Sequence, residues 1–374
     1  MHLSHQVLNK RYRLSYYVTF VMFVCITNRT IRNPSRENAL REQHTTEVTH
    51  ILCRYPAHGT AIAYTKALQT YIMIAVSESN CFSLLMSVYS GDSLTNLRRA
   101  VGSNTVEQTL PPTQVVIVRD GPVPTDIQLY LDSLPKTVQS AFAQRRPGIS
   151  IPEIRVIPLQ QNRGLAHALN VGLAHCTYEL VARADSDDIS LPARFAALIP
   201  LFKSDLGKTP DVVGSAIQEF EGTESKLGQI RVLPEGGMEL LRYARMRSPL
   251  HHPSVMFRKS VVLAAGGYPE NIGRFEDYLL WERLILNGAI LYNVPTPLVL
   301  YRVDSGAYRR RGGWTMFREE LRLQQQFRRD GFITGPQFLR NVGVRAIYRL
   351  VPTKIRRTAY HALTALRNHG LPIS

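Results

Sequence analysis

Asp185, Ser186, Asp187 and Asp188 gather three carboxylates two residues beyond the apolar run Leu180-Val181-Ala182. Hard carboxylate oxygens collected at a strand tip suit a divalent cation such as Mg2+ or Mn2+. The same residues also suit a solvated turn or a helix N-cap, because aspartate side chains accept hydrogen bonds from nearby backbone N–H groups. Other polar positions repeat the pattern. Tyr89 and Asp92 follow Phe82-Ser83-Leu84-Leu85-Met86-Ser87-Val88, Asp120 follows Val115-Val116-Ile117-Val118, and Asn162-Arg163-Gly164 follows Ile154-Arg155-Val156-Ile157. A second acidic pair, Glu276-Asp277, opens a run with Leu279, Leu280, Leu284 and Leu286 at helical spacing.

The elements that must position these residues are strands alternating with helices. Gly91-Asp92-Ser93 opens a helix through Leu94, Leu97 and Val101, and an Ala/Leu-rich helix runs from Leu165 to about Ala174. This alternation predicts βαβ units and a mainly parallel sheet. Ligands of such sheets bind at the carboxyl ends of the strands, so the polar residues above can line one crevice. Asp120-Gly121 and Asn162-Arg163-Gly164 are each equally good plain turns.

The chain has 374 residues, 44% of them hydrophobic, which excludes a disordered protein and allows one large α/β domain with extensions or two modest domains. Its formal net charge of +16 points to nucleic acid, an anionic membrane surface or phosphorylated substrates. Cys25, Cys53, Cys81 and Cys176 are far apart, which argues against a structural zinc site or disulfide framework and fits a reducing cytoplasm. Residues 1–80 lack sustained periodicity. They read as a weak membrane anchor, a poorly ordered extension, or an upstream stretch outside the functional protein. The apolar run Tyr16 to Ile26 is too short to span a bilayer. From Arg302 to Ser374, fifteen Lys or Arg stand against four acids, interleaved with Phe338, Leu339, Val342, Ile347, Leu350, Val351, Ile355, Tyr360, Leu363 and Leu366. That tail, residues 303–374, reads as basic amphipathic helix on a membrane surface or as helix packed on the domain. Arg309-Arg310-Arg311-Gly312-Gly313 reads as a mobile loop that could close over a diphosphate.

Several blocks together carry a resemblance. Ser87-Val88-Tyr89, Gln108-Thr109-Leu110-Pro111-Pro112, Val118-Arg119-Asp120-Gly121, Asn162-Arg163-Gly164 through Ala168-Leu169-Asn170, and Ala182-Arg183-Ala184-Asp185-Ser186-Asp187-Asp188 resemble, in order, the nucleotide-binding half of family 2 glycosyltransferases. His251-His252-Pro253-Ser254-Val255-Met256-Phe257-Arg258, Gly266-Gly267-Tyr268 and Phe275-Glu276-Asp277-Tyr278-Leu279-Leu280-Trp281 resemble the acceptor half. The resemblance is nearest to bacterial exopolysaccharide and lipopolysaccharide transferases. It implies a GT-A fold, α/β and Rossmann-like, with a mixed, mainly parallel sheet over residues 81–302. Residues 81–190 would be the nucleotide-sugar half and 191–302 the acceptor half, followed by the basic helical extension.

By that resemblance Asp187 reaches the metal, and Asp185 faces the ribose or shares the metal through water. Asp120 accepts the imide proton of uracil, Val88 and Tyr89 pack against base or ribose, and Asn162, Arg163 and Ser186 complete the donor site. Arg119 departs from the acidic residue more frequent before Asp-Gly. His252 is implied near the diphosphate and metal, although a histidine before proline is also an ordinary structural residue. Asp277 would be the base that deprotonates the acceptor hydroxyl in an inverting transfer, with Glu276 as its substitute; both also suit a plain helix start. Trp281 could stack on a sugar or fill the core. Arg183 could pair with a carboxylate or touch the donor, and Asp188 could simply start the helix after Pro192. The implied donor is a UDP-sugar and the acceptor a lipid-linked glycan or polysaccharide, at the inner face of the cytoplasmic membrane. Two alternatives remain at this point. A basic nucleic-acid-binding protein rests on net charge alone and lacks a recognisable module. A nucleotidyltransferase making activated sugars would need a Gly-rich, Arg/Lys-bearing phosphate loop where Ser87-Val88-Tyr89-Ser90-Gly91-Asp92 stands.

Overall fold

The computed structural model describes residues 80–203, 209–270, 272–303 and 313–350. The expectations for residues 1–79, for the loop Arg309 to Gly312 and for residues beyond Leu350 lie outside the described residues. In chain order the elements are β1 (Phe82–Val88), α1 (Leu94–Asn104), β2 (Gln114–Arg119), α2 (Thr125–Arg145), β3 (Glu153–Pro158), α3 (Leu165–His175), β4 (Leu180–Ala184), β5 (Ile189–Ser190) and α4 (Arg194–Leu198). They continue with β6 (Val212–Phe220), β7 (Leu227–Arg231), α5 (Gly237–Ala244), β8 (Met256–Arg258), α6 (Lys259–Ala264), α7 (Glu276–Leu286), β9 (Leu291–Arg302), α8 (Trp314–Arg329) and α9 (Gly335–Leu350).

The strands form one mixed sheet in the order β3-β2-β1-β4-β8-β6-β9-β5, with β7 paired to β6. The long ladders β3-β2, β2-β1, β1-β4 and β6-β9 are parallel. Short antiparallel β8 joins β4 to β6 and so fuses the two halves. The central strands β1, β2 and β4 are buried along nearly their whole length, because helices cover both faces. Alternate residues serve opposite layers. Leu84, Met86, Val115 and Ile117 pack with α1 and α2, whereas Leu85, Val116, Val118 and Val181 pack with α3 and α7. At Gly172 a Cβ would run into the side chains of Leu85 and Val118, so glycine lets α3 lie close on the sheet.

The C-terminal stretch begins as part of this packed body. Leu323 and Phe327 of α8, with Phe332 and Ile333, bury against Tyr278 and Leu279 of α7. Buried Glu320 pairs with Arg345 at 3.3 Å and with Arg349 at 2.8 Å, tying α9 to α8. Of the two readings of the tail, packing on the domain describes α8, while Leu339, Val344 and Ile347 of α9 stay exposed.

One buried cation braces the sheet where β4 ends. Arg194 is wholly buried, and its guanidinium donates to the Arg183 carbonyl at 2.6 Å, the Ser190 hydroxyl at 2.8 Å, and more loosely to Asn104 and the Val255 carbonyl. It thus links α1, β4, β5 and the segment before β8. Burial, then the neighbouring Arg183 charge, lowers its pKa to about 9. Arg194→Ala should cost about 3 kcal/mol in urea unfolding, because several buried acceptors lose their donor at once. A loss below about 1 kcal/mol would show that these acceptors find other partners.

Candidate active site

β4 ends at Ala184, and the chain turns through Asp185–Asp188 into β5. The turn is set by long-range pairing, since Ile189 and Ser190 pair with Leu300 and Val299 of β9. That pairing draws Asp188 inward. Its Oδ1 accepts the Arg302 backbone N–H at 2.8 Å, and its Oδ2 is buried with no partner. Arg302 Nε also donates to the Asp187 carbonyl at 2.8 Å, with its guanidinium 4.5 Å from the centre of the Phe220 ring. The expectation that Asp188 starts a helix is therefore corrected: α4 begins at Arg194 with Ala193 before it, and Asp188 belongs to the acidic turn. Ligand atoms of Asp185, Asp187 and Asp188 all lie within 4.8 Å of one another. Of the two readings of Arg183, the structure shows the carboxylate pair, Nη2 to Asp185 Oδ1 at 2.5 Å.

Asp92 joins this group. Its carboxylate accepts the Tyr89 N–H at 2.9 Å and is hydrogen-bonded by Ser186. Burial raises its pKa against these two hydrogen bonds, with the Asp185 charge adding to the rise. Burial likewise raises Asp187 and lifts Asp188 well above the usual carboxylate range, with the other carboxylates adding repulsion. Hard oxygen donors, mutual repulsion and the orphaned Asp188 Oδ2 are the properties of a site that a divalent cation fits.

Asp120, at the end of β2, is buried, and both its oxygens are engaged. Oδ1 accepts the Arg163 N–H at 2.9 Å and Oδ2 the Gly164 N–H at 3.0 Å. Gly121 has φ +81°, and a Cβ there would stand 2.5 Å from the Asn162 nitrogen, so the two turns can touch only through glycine. Asn162 Oδ1 adds a bond from the Gly164 N–H at 3.2 Å. The structure thus brings Asp120, Asn162 and Arg163 together at adjacent strand ends, with Val88 buried and Tyr89 half exposed at the end of β1. Each Asp120 oxygen keeps one lone pair for a ligand.

Next to α7, Asn170 of α3 clamps Tyr268. It donates to the Tyr268 carbonyl and accepts the Tyr268 N–H, both at 2.8 Å. The Tyr268 hydroxyl meets His252 Nε2 at 3.1 Å, and the His252 ring lies edge-on to Trp281, 6.0 Å between centroids. His252 is therefore placed against Tyr268 and outside the acidic group of three. Burial, then the Arg183 charge, holds its pKa well below the usual value, so the imidazole is neutral. Trp281 is fully buried as core.

Glu276 and Asp277 form the first turn of α7, where acids favour the helix dipole. Asp277 Oδ1 accepts the Tyr278 N–H at 2.7 Å. Burial pushes Asp277 up to about 6, against that hydrogen bond and the charge of Arg183. Burial and the Asp277 charge push Glu276 up to about 7. Carboxylates tuned to this range can accept a proton near neutral pH.

The model of the family described as glycosyl transferase family 2 matches residues 83–261. The chain is 34% identical to the amylovoran biosynthesis glycosyltransferase AmsE of Erwinia amylovora, covering 75% of this chain and 97% of that one. The chain belongs to glycosyltransferase family 2. A second relative of this family 2 chain, at 34% identity, is the UDP-Gal:alpha-D-GlcNAc-diphosphoundecaprenol beta-1,3-galactosyltransferase of Escherichia coli, with 75% of this chain and 94% of the relative covered. Among solved structures, S. aureus TarS 1-349 in complex with UDP-GlcNAc gives a TM-score of 0.48 at 19% identity, over 66% of each chain. The chain spans about two thirds of the length of that solved protein. The protein is a glycosyltransferase, and its mixed α/β sheet flanked by helices is that of the GT-A fold. Family membership favours sugar transfer over the nucleotidyltransferase and nucleic-acid readings. Among the described residues no helix is long and apolar enough to cross a membrane.

Proposed function

We propose that this family 2 glycosyltransferase moves a sugar from a UDP-sugar to a lipid-linked or polysaccharide acceptor in surface polysaccharide synthesis, with inversion and with Mg2+ or Mn2+. The observation that carries the reading is the nearness of two carboxylate groups, Asp185–Asp188 at the end of β4 and Glu276-Asp277 at the start of α7, close enough that the Asp185 charge acts on both Glu276 and Asp277. Support for the substrates comes from the E. coli relative, whose name gives a UDP-Gal donor and a diphosphoundecaprenol-linked acceptor.

Asp187 and Asp188 would hold the cation, with Asp185 beside them. When bound, it supplies positive charge to the departing diphosphate. Asp120 would keep the Asn162–Gly164 turn in place and offer a free lone pair to the uracil imide, while Val88 and Tyr89 flank the base or ribose. Arg163, Asn162 and Ser186 line the same strand ends. Neutral His252 would fix Tyr268 under the crevice rather than ligate the cation. Asp277 would take the acceptor hydroxyl proton during attack on the anomeric carbon, and Glu276 stands beside it.

Asp187→Ala should remove Mn2+-dependent UDP binding and transfer together. Asp277→Asn should leave UDP binding within about threefold while turnover falls at least about a hundredfold. Full activity in either variant would overturn that residue's role. NMR of the product linkage tests inversion. Because Asp277 must be ionised and its pKa is raised to about 6, turnover should be level near pH 8 and fall about tenfold per pH unit below pH 6. A profile flat down to pH 4.5 would remove a base of this pKa.

A lipid-linked acceptor also implies contact with an anionic membrane surface at the inner face of the cytoplasmic membrane. Leu339, Val344 and Ile347 are exposed on α9, beside exposed Arg340, and Arg322, Arg328 and Arg329 are exposed on α8. Leu339→Asp with Ile347→Asp should reduce co-sedimentation with phosphatidylglycerol vesicles at least fivefold (roughly 1 kcal/mol or more). Unchanged sedimentation would show that α9 is not the contact.

A further inference from the structure

Arg242, Arg245 and Arg247 crowd the end of α5. Arg242 and Arg247 are exposed and Arg245 is half-buried, and among the described residues none of them meets a carboxylate. Arginines near a helix C-terminus ordinarily bond its last carbonyls, but here those carbonyls are already taken. The Tyr243 carbonyl accepts the backbone N–H groups of Met246 at 2.8 Å and Arg247 at 2.9 Å. The Ala244 carbonyl accepts the Tyr278 hydroxyl at 2.6 Å, the Arg245 carbonyl accepts Asn341 Nδ2 at 2.8 Å, and the Met246 carbonyl accepts Arg345 Nη2 at 2.5 Å. The backbone of this turn is fixed from α7 and from α9 while its guanidinium groups stay unengaged.

The turn also has an apolar component. Met238, Arg242, Arg245 and Met246 fall at i, i+4, i+7 and i+8, which is one helix face, and both methionines are exposed. Unpaired guanidinium forks set among apolar side chains suit an amphiphilic anion, above all a phosphate ester of a lipid.

The position of the turn narrows the choice. Tyr278, which holds it on one side, follows the base candidate Asp277; α9, which holds it on the other, exposes Leu339, Val344 and Ile347. In a lipid-linked acceptor the diphosphate joins the receiving sugar to the lipid, one sugar away from the hydroxyl that loses its proton. Crevice, basic turn and apolar helix face thus follow the order sugar, diphosphate and lipid. We propose that Arg242, Arg245 and Arg247 bind the diphosphate of a lipid-linked acceptor, at a site separate from the acidic turn that serves the donor. This deepens the lipid-linked alternative of the acceptor reading above and rests on it.

The test is calorimetric titration of the full chain with farnesyl diphosphate, kept below its micelle concentration and in EDTA so that no cation draws the diphosphate to the acidic turn. Wild type should bind farnesyl diphosphate at least about tenfold more tightly than farnesol. Arg242→Gln/Arg247→Gln should lose at least about fivefold of that affinity, yet keep Mn2+-dependent UDP binding within about threefold. Asp187→Ala should bind farnesyl diphosphate as wild type does. Equal binding of farnesol and farnesyl diphosphate by wild type, unchanged affinity in the arginine variant, or a loss in Asp187→Ala overturns the proposal. An arginine variant that loses only co-sedimentation with phosphatidylglycerol vesicles overturns it too, because the arginines then meet headgroups and not the acceptor. Should the double variant not fold, Arg242→Gln and Arg247→Gln singly decide. The acceptor reading has its own readout, transfer of label from UDP-sugars into butanol-extractable, mild-acid-labile lipid by wild type. No labelled lipid overturns that reading and this proposal together, whereas labelling with the same acceptor KM in wild type and the arginine variant overturns this proposal alone.

Discussion

The acidic turn after β4 has to be held together against its own repulsion, and most of the surrounding structure can be understood from that requirement. Asp92, Asp185, Asp187 and Asp188 converge in a partly buried place, where burial disfavours the charged forms of Asp92, Asp187 and Asp188. Arginines hold it in different ways. Arg183 neutralises Asp185, Arg302 pins the backbone of Asp187 and Asp188, and Arg194 braces the strand beneath. A divalent cation bound there would relieve that repulsion and so would raise the stability of the folded chain.

This constraint also explains why the two halves cannot be separated. Arg302 ends β9, yet its backbone N–H and side chain complete the acidic turn that follows β4. β8 zips β4 to β6, and Arg194 reaches the carbonyl just before β8 as well as that of Arg183. On the other face, Asn170 of α3 fixes Tyr268, which meets His252 and approaches α7. The base candidate Asp277 thus opens a helix packed on the sheet, preceded by a loop that Asn170 and His252 hold at Tyr268, which suits a reaction that needs its groups aligned.

Much of this was legible in the sequence, and the reason is local. Apolar runs ending in Asp120, Asn162 and Asp185 show strand ends directly, and a parallel sheet puts strand ends on one side. Asp277 was legible because acids before a helical leucine pattern mark a first turn. The inward role of Asp188 was not, since it depends on Ile189 pairing with Leu300, more than a hundred residues away. Arg194 was hidden for the same reason, because an arginine at the start of a short helix gives no sign that it will be wholly buried. The tail read ambiguously because Leu323 and Phe327 have helical spacing whether they face a membrane or Tyr278 and Leu279. Asp92 had the right position after β1, but only the bonds from Tyr89 and Ser186 tie it to the acidic group.

The central claim is that the acidic turn becomes a donor site only when a divalent cation neutralises it. The most direct measurement is the thermal unfolding of the wild-type chain with UDP, with Mn2+, with both, and with both plus EDTA. The account predicts a small shift with either alone and a shift of several degrees with both, abolished by EDTA. An equal shift from UDP in the presence of EDTA would contradict it.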